Sequence, residues 1–291
     1  MSIVEEIKRS YYQGGALTRF IYVNIGVFVF VRLFQIFFTV SGAPYPVPVW
    51  LSVPSDPGAL LFKPWTLITY MFLHYEFLHF LFNVLVLYWF GQLFLMFFTE
   101  RQLVSVYFLG GISGAAAFIL FSNLVPAWHG GILMGASASI MAILFAAALY
   151  RPDFTVYLMF FGQVKMKYIA FVYLILDMIG LAGFSNAGGH LSHLGGAAFG
   201  WYFVSRLRKG KDITLGFSRL VDRLGGLFKK RSKMNVSYRR PMSDIEYDMD
   251  YNARKIKKQA ELDRILEKIK KSGYDSLTKS EKKTLFDASK N

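Results

Sequence analysis

Residues 133–142 read LMGASASIMA, with two hydroxyls, Ser137 and Ser139, set among small residues. Further along, AGGHLSHLGGAAFG places His190 and His193 three residues apart. Earlier, FLHFLFNVL puts His79 and Asn83 at i and i+4, on one face of a helix. A serine hydroxyl hydrogen-bonded to an imidazole can attack a carbonyl; the base, His193 here, takes the serine proton and later returns it to the leaving amine. The developing oxyanion needs donors, and backbone N–H groups at a helix start provide them together with the positive end of the helix dipole. His79 and Asn83 are of the right type to complete such a hole.

Small residues also have a plainer use. Ala138, Ala142 and Ala146 repeat at intervals of four, as do Gly196 and Gly200, so the two segments can approach backbone to backbone. That leaves two roles for the serines: packing spacer or nucleophile. Asp177 lies near the middle of its apolar stretch and reads as too deep to orient His193, so a Ser–His pair without a third acidic member is expected. His74, His129 and His190 read as interfacial imidazoles. With no cysteine, a disulfide framework and a thiolate metal site are both excluded.

The elements that position these groups are apolar. Of 291 residues, 54% are hydrophobic and 18% aromatic, which argues against a purely soluble domain. Stretches long enough to cross roughly 30 Å of hydrocarbon fall at 19–41, 77–98, 102–122, 133–150, 166–184 and 189–207. Lys8, Arg9, Arg19, Arg101, Arg151, Lys165 and Lys167 flank them on one side, against Lys63 alone on the other. By the positive-inside rule both termini are cytoplasmic, and the serine and histidine motifs lie in the outer half. The expected fold is therefore an all-α, six-transmembrane-helix bundle.

Together HFLFN (79–83), GASA (135–138) and HLGGAAFG (193–200) resemble the rhomboid intramembrane serine proteases, over roughly residues 15–207. The resemblance implies a rhomboid-like fold with Ser137 as nucleophile and His193 as base. It also implies an oxyanion hole from the Ser137 backbone, His79 and Asn83, and a mobile gate at the fifth span. Implied substrates are membrane-anchored proteins cut in or near their transmembrane segment, with no metal or cofactor. Ser139, about 200° round the helix from Ser137, keeps the packing role. Three positions depart from the family pattern: Ala138 replaces a common glycine, Trp65-Thr66 a common Trp-Arg, and Met141 a tyrosine that packs on the catalytic histidine. A rhomboid-like protein that binds membrane helices without cutting them is the alternative, disfavoured because both reactive positions are filled.

The domains expected are a cytoplasmic segment at 1–18, the membrane domain at 19–207, a basic amphipathic segment and linker at 208–249, and a small helical hairpin at 250–291. The proline-rich first loop, 42–76, is expected to lie partly in the outer leaflet. From Arg206 onward 24 Lys and Arg face 12 Asp and Glu, an excess that points to anionic lipid and not to nucleic acid. Residues 213–230 read as a membrane-surface helix and 231–250 as flexible. Beyond them Ile256, Leu262, Ile265, Leu266 and Ile269 form an apolar face that stops at Ser272-Gly273, and Thr278 with Glu281 makes a capping box. No cleavable signal peptide is read at the N-terminus. The bacterial cytoplasmic membrane is the expected location, with the site opening to the extracytoplasmic side.

Overall fold

A computed structural model describes residues 2–125, 130–158, 162–182, 186–228 and 244–289. It divides into two compact units, 1–229 and 230–291. The first unit opens with α1 (Ile3–Gln13), started by a Ser2–Glu5 capping box, and α2 (Ala16–Ser41). The first loop is built from α3 (Val47–Leu51), β1 (Val53–Pro54), α4 (Pro57–Phe62) and α5 (Thr66–Thr69), followed by a 3₁₀ turn at Tyr70–Phe72. Then come α6 (Phe77–Leu95), α7 (Glu100–Leu124), β2 (Ile132–Leu133) and α8 (Ser137–Tyr150). A hairpin of β3 (Thr155–Leu158) and β4 (Gly162–Lys165) leads to α9 (Met166–Ala182), α10 (Ala187–Leu207) and α11 (Leu215–Phe228).

The chain is mostly helical, and all six apolar stretches fall on helices. Three of these, α2, α6 and α7, are long and apolar enough to cross a membrane. Two short antiparallel strand pairs, β1–β2 and β3–β4, qualify the all-α expectation. Helix α8 starts at Ser137 and not at 133, because Leu133 pairs with Val53 across the β1–β2 bridge. It is the most enclosed element: every residue from Ala138 to Ala148 is buried. A helix apolar on every side belongs at the centre.

Its neighbours press close because their facing positions lack side chains. A Cβ on Gly196 of α10 would collide with the Ala138 carbonyl, and one on Gly110 of α7 with Ala142. A Cβ on Gly114 would come to 2.5 Å from the Ala138 Cβ. The expected α8–α10 approach is thus present, and α7 packs closely against both helices. By contrast α2 and α9 turn Phe30, Leu33, Phe171 and Ile179 outward, each more than half exposed, as lipid-facing surfaces do.

The first loop is folded and fastened down. The Tyr70 hydroxyl donates to the Gly111 carbonyl at 2.6 Å and the Tyr107 hydroxyl to the Met71 carbonyl at 3.0 Å. Trp50 and Trp65 stack, and the Trp65 indole donates to the Trp50 carbonyl at 2.9 Å. After α10, helix α11 packs on α7 through the Ser105 and Ser218 hydroxyls, 3.0 Å apart, with Gln102 donating to Asp212 at 2.9 Å.

In the second unit α12 runs from Asp244 to Ser272, so 244–250 is helical where flexible chain was expected; 229–243 lies outside the described residues. A 3₁₀ turn and α13 (Lys279–Ser289) complete a hairpin. Ile265 and Leu277 are its buried residues, whereas Leu266, assigned to the apolar face, is half exposed. The capping box forms: Thr278 Oγ1 accepts from the Glu281 N–H, and Glu281 accepts from the Thr278 N–H at 2.7 Å. These bonds, with Lys268 at 2.9 Å, hold the Glu281 carboxyl down at about 2.

Candidate active site

The loop before α8 turns sharply, with Gly135 at φ +119°, a conformation that side chains disfavour. Two bonds hold it: the Gly135 N–H donates to the Tyr70 carbonyl at 2.9 Å and the Ala136 N–H to His74 Nε2 at 3.3 Å. His74 Nδ1 faces the Phe72 carbonyl at 3.3 Å, so the proton sits on Nδ1 and Nε2 is the acceptor. His74 is fully buried, and burial, together with nearby His79, lowers its pKa to about 4, so it stays neutral. This corrects the expectation of an interfacial His74; it is a fixed brace beneath the serine loop. His129 lies outside the described residues.

Ser137 is the first residue of α8, and no side chain caps that helix start. The early N–H groups are therefore available to a ligand. Ser137, His193, His79 and Asn83 all line one cavity of roughly 210 Å³. A Cβ built on Gly135 would stand 3.1 Å from His79 Cε1 and 3.7 Å from Ser137 Oγ, which places imidazole and hydroxyl around one point. The Asn83 amide is steadied by donating to the His79 carbonyl at 2.8 Å. Phe82, Val86, Ile140, Met141 and Tyr173 complete the wall, so α9 brings a tyrosine to the site while α8 presents Met141. Ser139 is buried away from the cavity, its Oγ beside Gly111.

His193 has a partner that the sequence reading had excluded. Its Nδ1 lies 2.8 Å from Asp177 Oδ1, and His190 Nδ1 lies 2.8 Å from the same oxygen. Asp177 is 4% exposed, and its Oδ2 has no hydrogen-bond partner among the described residues. The depth estimate failed: the 2.8 Å contact puts Asp177 level with His193, which lies six residues, about 9 Å at 1.5 Å per residue, below the start of α10 at Ala187. His190, read as interfacial, is a bonded member of the cluster, its ring seated over Gly180. The signal for the acid was present: a carboxylate inside an apolar span needs a partner.

The rhomboid domain family matches residues 62–210, half of the chain, from the first loop through α10. The chain belongs to the rhomboid family. A family of unknown function, DUF6576, matches residues 246–291, the hairpin of the second unit. RHOMBOID-like protein 12, mitochondrial, of Arabidopsis thaliana is 28% identical over 201 residues, 65% of this chain and 57% of the plant protein. Presenilin-associated rhomboid-like protein A, mitochondrial, of Danio rerio is 30% identical over 139 residues, 45% of this chain and 34% of the fish protein. This rhomboid thus spans from a third to just over half the length of these relatives. Both relatives carry mitochondrial names, which overturns the expectation of a bacterial cytoplasmic membrane.

Proposed function

We propose that this rhomboid is an intramembrane serine endopeptidase acting on membrane-anchored proteins in or near their transmembrane segment. The observation that carries the reading is the convergence of Ser137, His193, His79 and Asn83, from three helices, on one cavity. In this mechanism Ser137 Oγ attacks the scissile carbonyl while its proton passes to His193 Nε2. The Ser137 N–H, His79 and Asn83 hold the oxyanion; the C–N bond then breaks as His193 returns the proton to the amine. Water, activated by the same base, releases the acyl group. Asp177 acts as a positioning residue: by accepting from Nδ1–H it keeps the Nε2 lone pair towards the cavity.

The membrane arrangement follows the charges: six spans, with both termini on the side of the Lys/Arg-rich loops and the cavity nearer the opposite face. At 14 residues α8 is about 21 Å long, short of the hydrocarbon thickness, so its first residue sits below the surface with room for water above. Helix α9, exposed on one flank, is the side by which a substrate helix reaches the serine. The basic α11 segment faces anionic lipid.

The test is labelling by a fluorophosphonate probe together with cleavage of a single-span substrate. Wild type labels and cuts; Ser137→Ala and His193→Ala do neither, and Ser139→Ala does both. Wild type that neither labels nor cuts leaves the non-cutting, helix-binding reading. Asn83→Ala slows cleavage on the order of ten- to a thousand-fold; an unchanged rate removes Asn83 from the hole.

A further inference from the structure

We propose that Asp177, His190 and His193 form a regulatory binding site for a divalent transition-metal ion, zinc foremost, and that its occupancy switches hydrolysis off. The three donor atoms lie within 4.8 Å of one another, with both imidazole Nδ1 atoms 2.8 Å from Asp177 Oδ1. Hydrolysis uses only one of these histidines. His190 makes no contribution to the cavity, yet it points the same nitrogen at the same carboxylate. The buried Oδ2 of Asp177, without a partner among the described residues, leaves the carboxylate with unused ligand capacity. Both histidine side chains keep about a quarter of their surface exposed, which gives an ion a way in.

The geometry and the donor types suit zinc. Ligand atoms about 2.0–2.2 Å from a tetrahedral ion stand roughly 3.3 Å apart, so each ring nitrogen draws back about half an ångström from Oδ1 while the two nitrogens, within 4.8 Å of each other, close towards the same spacing. Two imidazoles and one carboxylate select zinc or its neighbours over magnesium and calcium, which prefer oxygen alone. The remaining position is left to water.

The switch lies in the tautomer. Without the ion, His193 carries its proton on Nδ1, bonded to Asp177, and keeps the Nε2 lone pair for the Ser137 proton. An ion bound at Nδ1 takes the lone pair of that nitrogen, and the proton displaced from it sits on Nε2, where it occupies the lone pair that served as base. Ser137 then faces a donor that cannot accept its proton, and Asp177 no longer orients the ring. No bond in the substrate changes, and no electron is transferred.

Binding at this cluster is independent of the protease reading, whereas inhibition rests on it, so the two are measured separately. The full chain, purified without a histidine tag, is prepared as Ser137→Ala and titrated with cobalt(II). Visible absorption bands of a four-coordinate site, bleached by zinc and absent in Ser137→Ala/His190→Gln, are expected. In wild type, zinc abolishes cleavage and a chelator restores it. In His190→Gln, whose amide still donates to Asp177, basal cleavage persists and the inhibitory zinc concentration rises by more than the ~10–100-fold typical of losing an outer-shell partner. Cobalt bands that survive His190→Gln, or their absence from Ser137→Ala, overturn the site. Inhibition that is unchanged in His190→Gln, or cleavage lost on chelation, overturns the switch. If wild type does not cleave at all, the protease reading fails while the cobalt bands still decide the site.

Discussion

Helices α8 and α9 both line the same cavity and are built on opposite terms. On α8 eleven consecutive residues are buried, and the preceding loop is tied to Tyr70 and His74. On α9 Phe171, Val172, Leu176 and Ile179 face outward, and only Met166, Ile169, Ala170 and Asp177 are buried. The proposed nucleophile therefore sits on the most enclosed helix, while the carboxylate bonded to the proposed base sits on one of the least enclosed. Packing sets where Ser137 is; a pair of hydrogen bonds sets which way His193 points. On the proposed reading, the helix by which a substrate enters also governs the base.

The largest effect follows from breaking that division on the α9 side. Asp177→Asn keeps the size of the side chain but supplies an N–H where a carboxylate oxygen accepted, so His193 adopts the wrong tautomer. The expected result is a fall in kcat of about 10² to 10⁴ with KM little changed and thermal stability retained. A rise in KM at constant kcat would place Asp177 in substrate binding instead. Asp177→Glu, which can still accept from Nδ1, recovers part of the loss.

On the α8 side acid is the lever. His74 is held neutral with a pKa of about 4, below its ordinary 6.5. Above pH 6.5 neither folded nor unfolded chain protonates it; between 6.5 and 4 only the unfolded chain does. Stability is thus lost as pH falls through that window, by roughly 3 kcal/mol, and the loss levels off below it. Melting curves of wild type and His74→Gln, taken from pH 7 to 4, should converge as the pH drops. Parallel curves would show that the brace does not depend on a neutral imidazole.

A smaller effect comes from the seam behind the serine. Gly196→Ala puts a methyl against the Ala138 carbonyl, so α10 must move outward. Overpacking of this kind costs about 1–3 kcal/mol and should lower both the melting temperature and cleavage, since His193 rides on the same helix. A fully active, fully stable Gly196→Ala would mean that the two backbones are not in contact.

These two helices also show which parts of the structure were legible from residue order. The apolar helices and the close approach of Ala138 and Ala142 to Gly196 and Gly200 were readable because helical periodicity and small-residue spacing are local properties. The Asp177–His193 bond was not, because it depends on how far two helices are shifted along each other, and α10 starts at Ala187, two residues before the expected 189. The wall residue supplied by α9, Tyr173 beside Met141, and the loop brace at His74 are likewise products of tertiary placement. Neither has a sequence spacing that would announce it.

The smallest effect is the one that tests whether α9 is free on its outer flank. Leu176 is 57% exposed and directly precedes the buried Asp177. If its side chain meets only lipid or detergent, Leu176→Ala changes stability by no more than about 0.5 kcal/mol, whereas Ile143→Ala on α8, fully buried, costs about 2–5 kcal/mol. Measured in the same detergent, that ratio is the contrast between the helices in its simplest form. A Leu176→Ala loss approaching that of Ile143→Ala would mean that α9 is clamped by contacts beyond this chain. The orientation of His193 would then be set by packing, as the position of Ser137 is, and Asp177→Asn would cost less than the tautomer argument requires.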